Sequence, residues 1–174
     1  MKRTLTILTI MLAALTFNTR AHAEGGYFGI RGDAFVPIAN SNPGGTSLVG
    51  FGIAVPFFGI QGGYDFSDRT EPGFSLRGSF RTLIFLSQIS LDALYRIPDE
   101  TGAGLYFGAG VDMAFVLVVT AQSSIFGAHL DLGYDLPISS TTSVFFEAQP
   151  GAYFNSTGAL FYFSLAAGFN FHFS

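Results

Sequence analysis

Residues 161–173 read Phe161-Tyr-Phe-Ser-Leu-Ala-Ala-Gly-Phe-Asn-Phe-His-Phe173. Phe161, Phe163, Leu165, Ala167, Phe169, Phe171 and Phe173 take every odd position. Tyr162, Ser164, Ala166, Gly168, Asn170 and His172 take the even ones. Strict alternation places successive side chains on opposite faces of a β-strand. One face of this strand is almost wholly aromatic and aliphatic, and the other is small and polar.

The same period recurs upstream in Tyr27–Val36, Phe57–Phe66, Phe74–Thr82, Ile89–Ile97, Leu105–Phe115, Ile125–Leu136 and Val144–Phe154. With the last segment this makes eight strands of roughly 9–13 residues, close to the length a tilted membrane strand needs. Ser67–Gly73, Pro98–Gly104 and Pro137–Ser143 lie between strands and carry the Gly, Pro, Asp and Ser that turns use. No stretch has the 3.6-residue period of an amphipathic helix, so the expected class is all-β.

Composition narrows the choice. The 174 residues are 49% hydrophobic but only 11% charged, where a soluble domain carries about 25% charged residues. Twenty-one Phe and seven Tyr exclude disorder. The absence of cysteine excludes disulfides, a thiolate nucleophile and cysteine-ligated metal. Net negative charge speaks against nucleic-acid binding, which needs clustered Lys and Arg.

Residues 1–23 have the form of a secretory signal peptide. Lys2 and Arg3 are the basic end, Leu5–Phe17 the apolar stretch, and Ala21-His22-Ala23 the cleavage site. The expected mature domain is 24–174, cut after Ala23. Removing Lys2, Arg3 and Arg20 leaves five arginines against twelve acids, a net charge of −7, and no lysine.

Eleven charges fall within strands: Arg31, Asp33, Asp65, Arg77, Arg81, Asp92, Arg96, Asp112, Asp131, Asp135 and Glu147. All eleven share the parity of the small residues, opposite the bulky apolar face. Alternation alone fits either a soluble barrel with an apolar interior or a membrane barrel with a polar one. Three features favour the second. The polar face holds glycines that suit the crowded interior of an eight-stranded barrel. It has no lysine, the usual solubilising residue on exposed strands. The apolar face stays Phe-rich to its ends, as a lipid-facing band with aromatic girdles does. The expected architecture is therefore an eight-stranded antiparallel up-and-down transmembrane β-barrel, closed because lipid tolerates no unpaired strand edge.

On these segments and the Phe-rich last strand, the chain resembles the small eight-stranded outer-membrane barrels, the group of the OmpA transmembrane domain, OmpX and OmpW. The resemblance implies residence in the outer membrane of a Gram-negative-type bacterium, contact with its lipids, and assembly by machinery that reads the C-terminal strand ending at Phe173. Phe173 stands next to last rather than last, and no Trp is present for the girdles. The resemblance also puts the N-terminus and the three turns in the periplasm. The outer loops are then Pro37–Pro56, Leu83–Gln88, Val116–Ser124 and Asn155–Ala159, all uncharged. Long polar loops suited to adhesion are missing. In the first loop, Val49, Phe51, Ile53 and Val55 alternate out of phase with Phe58. The segment is either a loop or an extended strand with a bulge near Pro56.

Inside such a barrel Arg31, Arg77, Arg81, Asp92, Arg96, Asp112, His129, Asp131 and Glu147 are expected to form an ion-pair network, with Arg77–Asp92 and Arg77–Glu147 as pairs. The network reads as a plug, or as a gate to a narrow pore. The leading expectation is a structural, envelope-integrity barrel that acts as a monomer, without enzymatic activity, cofactor or metal. A second reading, resembling OmpW, is a conduit or binding site for small hydrophobic molecules, with Phe35, Leu83, Phe85 and Val116 at its mouth. A third is a lipid hydrolase using His129 and Asp131. No serine stands at the expected spacing from His129, whose simplest role is an internal side chain bonded to Asp131.

Overall fold

The computed structural model describes residues 25–40, 54–83, 86–116, 124–156 and 158–173. They form eight strands: β1 (Gly25–Asn40), β2 (Val55–Asp65), β3 (Gly73–Leu83), β4 (Leu86–Pro98), β5 (Gly104–Val116), β6 (Ser124–Pro137), β7 (Thr142–Asn155) and β8 (Gly158–Phe173). Each pairs antiparallel with its sequence neighbour, and β1 closes the barrel against β8. The signal-peptide segment lies outside the described residues.

The wall follows the alternation. All eleven strand charges are buried, while Phe28, Ile30, Phe58, Ile60, Leu91, Val111, Leu130, Leu132 and Phe169 are among the exposed large side chains. Exposed charges among the described residues sit only in turns: Glu71, Asp99 and Glu100. An apolar surface that surrounds the molecule is far larger than the roughly 300–600 Å² patches of soluble monomers. At the end carrying the turns, Tyr95 lies between Phe74 and Phe107, with ring centroids 4.9 and 5.6 Å away.

The strands run further than turn-forming residues suggested. Most of the expected loop Leu83–Gln88 is hairpin, with Leu83 opposite Leu86 and Arg81 opposite Gln88. Asn155–Ala159 is likewise paired, Asn155 opposite Gly158. Both ends are apolar or uncharged, so pairing extends until the chain must reverse. β1 continues through Asn40, and the bulge falls there, between Pro37 and Ala39, rather than near Pro56. Pro56 stays in register opposite Ala34, with Phe57 buried and Phe58 exposed beside it. Proline has no N–H to place in a ladder, so Pro37 is a natural site for the irregularity. Val49–Ile53 lies outside the described residues.

Inside, five aromatic residues each stand directly opposite a glycine: Tyr27–Gly63, Tyr106–Gly133, Tyr153–Gly127, Tyr162–Gly151 and Phe145–Gly168. In every case the ring occupies the space that a Cβ on the glycine would take. In these five places the narrow lumen makes room for a large ring by leaving the neighbouring strand without a side chain.

The turn between β4 and β5 is closed by its own side chains. Asp99 Oδ1 accepts hydrogen bonds from the Thr101 hydroxyl (2.6 Å) and backbone N–H (2.8 Å), and from the Ala103 N–H (3.2 Å). Gly102 takes φ +79°, which favours glycine.

Two outcomes follow. Gly133→Val should displace Tyr106 and lower stability by about 1–3 kcal/mol, read as an earlier urea midpoint in detergent. The Thr101 hydroxyl and backbone hold the Asp99 carboxylate below its ordinary pKa. Its contribution to the turn is thus present above about pH 4, the ordinary aspartate value. It is lost as the pH falls through the lower folded value. Amide exchange at Thr101 and Ala103 should accelerate only in acid, and not in Asp99→Ala.

Candidate functional site

The strand registers set rows of inward side chains across the barrel. Arg77 lies opposite Asp92, Asp92 opposite Gly110, and Gly110 opposite His129. Because the lumen is narrow, strands that are not neighbours also meet there.

Arg77 is the centre. Its Nε donates to Asp92 Oδ2 at 2.7 Å, its Nη2 to Asp131 Oδ1 at 3.0 Å, and its Nη1 to Glu147 Oε2. The last bond spans the lumen from β3 to β7. Arg31 holds Asp33 with two nitrogens, at 3.0 and 2.6 Å. It also reaches Glu147 Oε1 at 3.1 Å and Gln61 Oε1 at 3.2 Å. Arg81 donates to Asp33 at 3.1 Å and Gln149 at 2.7 Å, and its Nη2 lies 3.5 Å from Asp112. Tyr106 and Tyr162 donate to Glu147 and Asp112 at 2.8 and 2.6 Å. All of these side chains are buried. Charge in such a place needs a partner, since an uncompensated ion costs several kcal/mol.

His129 differs from expectation. Its Nδ1 meets Asp112 Oδ2 at 2.8 Å, whereas Asp131 comes only to 3.5 Å of its Nε2. Residues two apart on one strand stand about 6.6 Å apart along it. Gly110 stands directly opposite His129 and Asp112 is its diagonal neighbour, so the empty glycine position lets the ring lean across to Asp112. Nδ1 is thus held by Asp112, and Nε2 faces Asp92 and Asp131. Arg96 stands apart from the central group. It lies 3.8 Å from Asp65 and donates to the Asp68 carbonyl at 3.2 Å, at the end carrying the turns.

The two ends of the lumen differ. Toward the end away from the turns, Phe35 stacks on Tyr162 at 4.8 Å and meets Phe57 edge-on at 5.9 Å. Tyr153 stacks on Tyr162 at 5.0 Å, and Ile125 and Leu160 pack on this group. Phe35 is thus packed among aromatic rings at that end, while most of the loops around it lie outside the described residues. Leu83 is half-buried at the β3–β4 hairpin, while Phe85 and the Val116 side chain lie outside the described residues. Toward the turns, a cavity of about 40 Å³ bordered by Tyr27, Arg77, Arg96 and Tyr106 ends at the central cluster. A second of about 190 Å³ opens beside Arg69 and His172.

A closed eight-stranded antiparallel barrel has counterparts among solved structures. The fold is that of the small eight-stranded outer-membrane barrels. The barrel superposes on Neisserial surface protein A with a TM-score of 0.58 at 14% identity, over 87% of this chain and 99% of that one. For the N-terminal barrel domain of Pseudomonas aeruginosa OprF the score is 0.52 at 17% identity, over 85% of this chain and 100% of that one. No family model matches the sequence, and no curated protein matches it.

Several members of the network carry no formal charge: Gln61, Gln88, Gln149, Tyr106 and Tyr162. Their sequence signal was parity with the charged residues. Asp33 has the same parity and joins Arg31 to Arg81.

Arg77→Met should leave Asp92, Asp131 and Glu147 short of a cation and cost about 3–5 kcal/mol. Arg69→Met, at the mouth with a side chain 22% exposed beside Asp135, should cost less than about 1 kcal/mol. Urea unfolding of the two variants in the same detergent separates them.

Proposed function

We propose that this chain is an integral outer-membrane barrel with a structural role in the envelope, its lumen plugged and its action non-enzymatic. The observation that carries the reading is the sorting of charge. Every charged strand residue points inward, and the outward wall is Phe, Leu, Ile and Val. A cationic side chain on a lipid-facing wall near the midplane costs about 2–4 kcal/mol, and this wall carries none. Fold similarity to outer-membrane barrels supports the location. The termini and turns then face the periplasm, and the strand ending at Phe173 is the segment the assembly machinery reads. Lipids are the main partner. An external groove of about 730 Å³ over Gly32, Ala34, Ala148 and Ala167, walled by Phe58 and Phe146, gives acyl chains a recess. The barrel acts as a monomer.

A second reading is a binding site for small hydrophobic molecules. It draws on the cluster of Phe35, Phe57, Tyr153 and Tyr162, which makes the end of the lumen away from the turns apolar. Leu83, Phe85 and Val116 would complete that mouth.

Conductance in planar bilayers separates a plug from a gate. The plug predicts silence from both the native barrel and Glu147→Ala, with an unboiled gel band that shifts on boiling. Discrete openings in the native barrel, enlarged in Glu147→Ala, would make the network a gate. Uptake of a hydrophobic fluorophore that Phe85→Asp abolishes would favour the second reading. A chain that stays folded and soluble without detergent would overturn the membrane assignment.

A further inference from the structure

The row Asp92–Gly110–His129 runs across β4, β5 and β6. Glycine leaves its middle empty, and a Cβ at residue 110 would collide with both neighbours. Asp92 and His129 reach over it, so that His129 Nε2 stands 3.0 Å from Asp92 Oδ1. Asp131 brings its Oδ1 to 3.5 Å of the same nitrogen. One ligating atom from each of the three residues lies within 4.8 Å of the others.

Each of these side chains is held in place by other network members. Asp92 Oδ2 accepts from Arg77, Asp131 Oδ1 from Arg77 and Gln149, and His129 Nδ1 meets Asp112. Asp92 Oδ1 and His129 Nε2 have only each other, Asp131 Oδ2 has no hydrogen-bond partner, and all three residues are at least nine-tenths buried. An ionised carboxylate only accepts, so the proton between Asp112 and His129 sits on Nδ1. A second proton, making the ring an imidazolium that donates to Asp92 Oδ1, or a metal ion then joins Nε2 to that oxygen.

Charge balance distinguishes the two. Arg31, Arg77 and Arg81 interlock with Asp33, Asp92, Asp112, Asp131 and Glu147. Three cations against five anions leave two negative charges in the buried cluster. A second proton on His129 supplies one positive charge, and a divalent ion supplies both. We infer that Asp92, His129 and Asp131 form a site for a single divalent transition-metal ion inside the barrel.

The donors fit. One imidazole and two carboxylates suit zinc or cobalt, whereas calcium takes about six to eight oxygens. Metal–ligand bonds of about 2.0–2.2 Å place tetrahedral ligands roughly 3.4 Å apart, close to the 3.0 Å from His129 Nε2 to Asp92 Oδ1 and the 3.5 Å to Asp131 Oδ1, an oxygen that also accepts from Arg77 and Gln149. The Asp112 carboxylate behind His129 fixes the ring as carboxylates do behind metal-bound histidines. Arg77 orients both aspartates, and its charge moderates the affinity. The ion would tie β4 to β6 across β5.

The test uses the tag-free full chain with His22→Ala and His172→Ala, leaving His129 as its only histidine, refolded in detergent after chelation. Cobalt should bind one per chain, give a visible absorption band, and raise the unfolding temperature by linkage. His129→Gln and Asp92→Asn should lose both signals. Gly110→Ala keeps the ligands but fills the space, and should weaken binding about tenfold or more. Boiled and unboiled gels verify that each variant is folded. Should the variants fail to fold, a zinc titration of the parent must shift its lone histidine NMR resonances. An unmoved resonance, no cobalt uptake by the parent, or undiminished uptake by His129→Gln overturns the site.

Discussion

Arg77 meeting carboxylates from β4, β6 and β7 is the interaction on which the interior depends. The reason is the size of the cylinder. Eight tilted strands enclose a space about one layer of side chains wide, so anything pointing inward loses its water. An inward charge then has to be answered by charges from other strands. Around Arg77, the answering groups come from the opposite wall as well as from the adjacent strand. The same bonds that discharge the interior brace the wall from within.

This arrangement inverts the logic of a soluble core. The apolar side chains contribute little by meeting one another, since most of them point outward. What holds the described wall together is a continuous ladder of backbone hydrogen bonds from β1 round to β8, with a polar interior cross-linked over it. Size is managed by pairing. Each of five large rings lies over a glycine on the next strand, and the glycine at 110 does the same for a carboxylate and an imidazole. Glycine in these strands is a measure of what its neighbour needs, and its loss of β-propensity is offset by the packing it permits.

The two ends of the lumen are finished by different chemistry. Stacked aromatic rings occupy the end away from the turns, and polar cavities open among Arg69, Arg96 and His172 at the other. Between them lies the salt-bridged cluster centred on Arg77. The described lumen is thus apolar at one end and polar at the other.

Strand identity, number and facing were legible in the amino-acid order, because β-structure has a period of two and a barrel wall separates two solvents. A run such as Phe161–Phe173 admits one reading of which residues share a face. The inward set, from Arg31 to Glu147, followed from parity alone. Strand ends were less legible. Turn-forming residues mark where a chain can reverse, while pairing decides where it does, so β1 outran Pro37 and the β3–β4 connection shortened. Partners lay beyond local sequence altogether. His129 and Asp131 looked paired because they are two apart, yet register gave His129 to Asp112 and Asp92. Register is a property of two strands at once, and contact across a lumen is a property of the closed barrel. The order of residues determined what points inward, and closure determined what it meets.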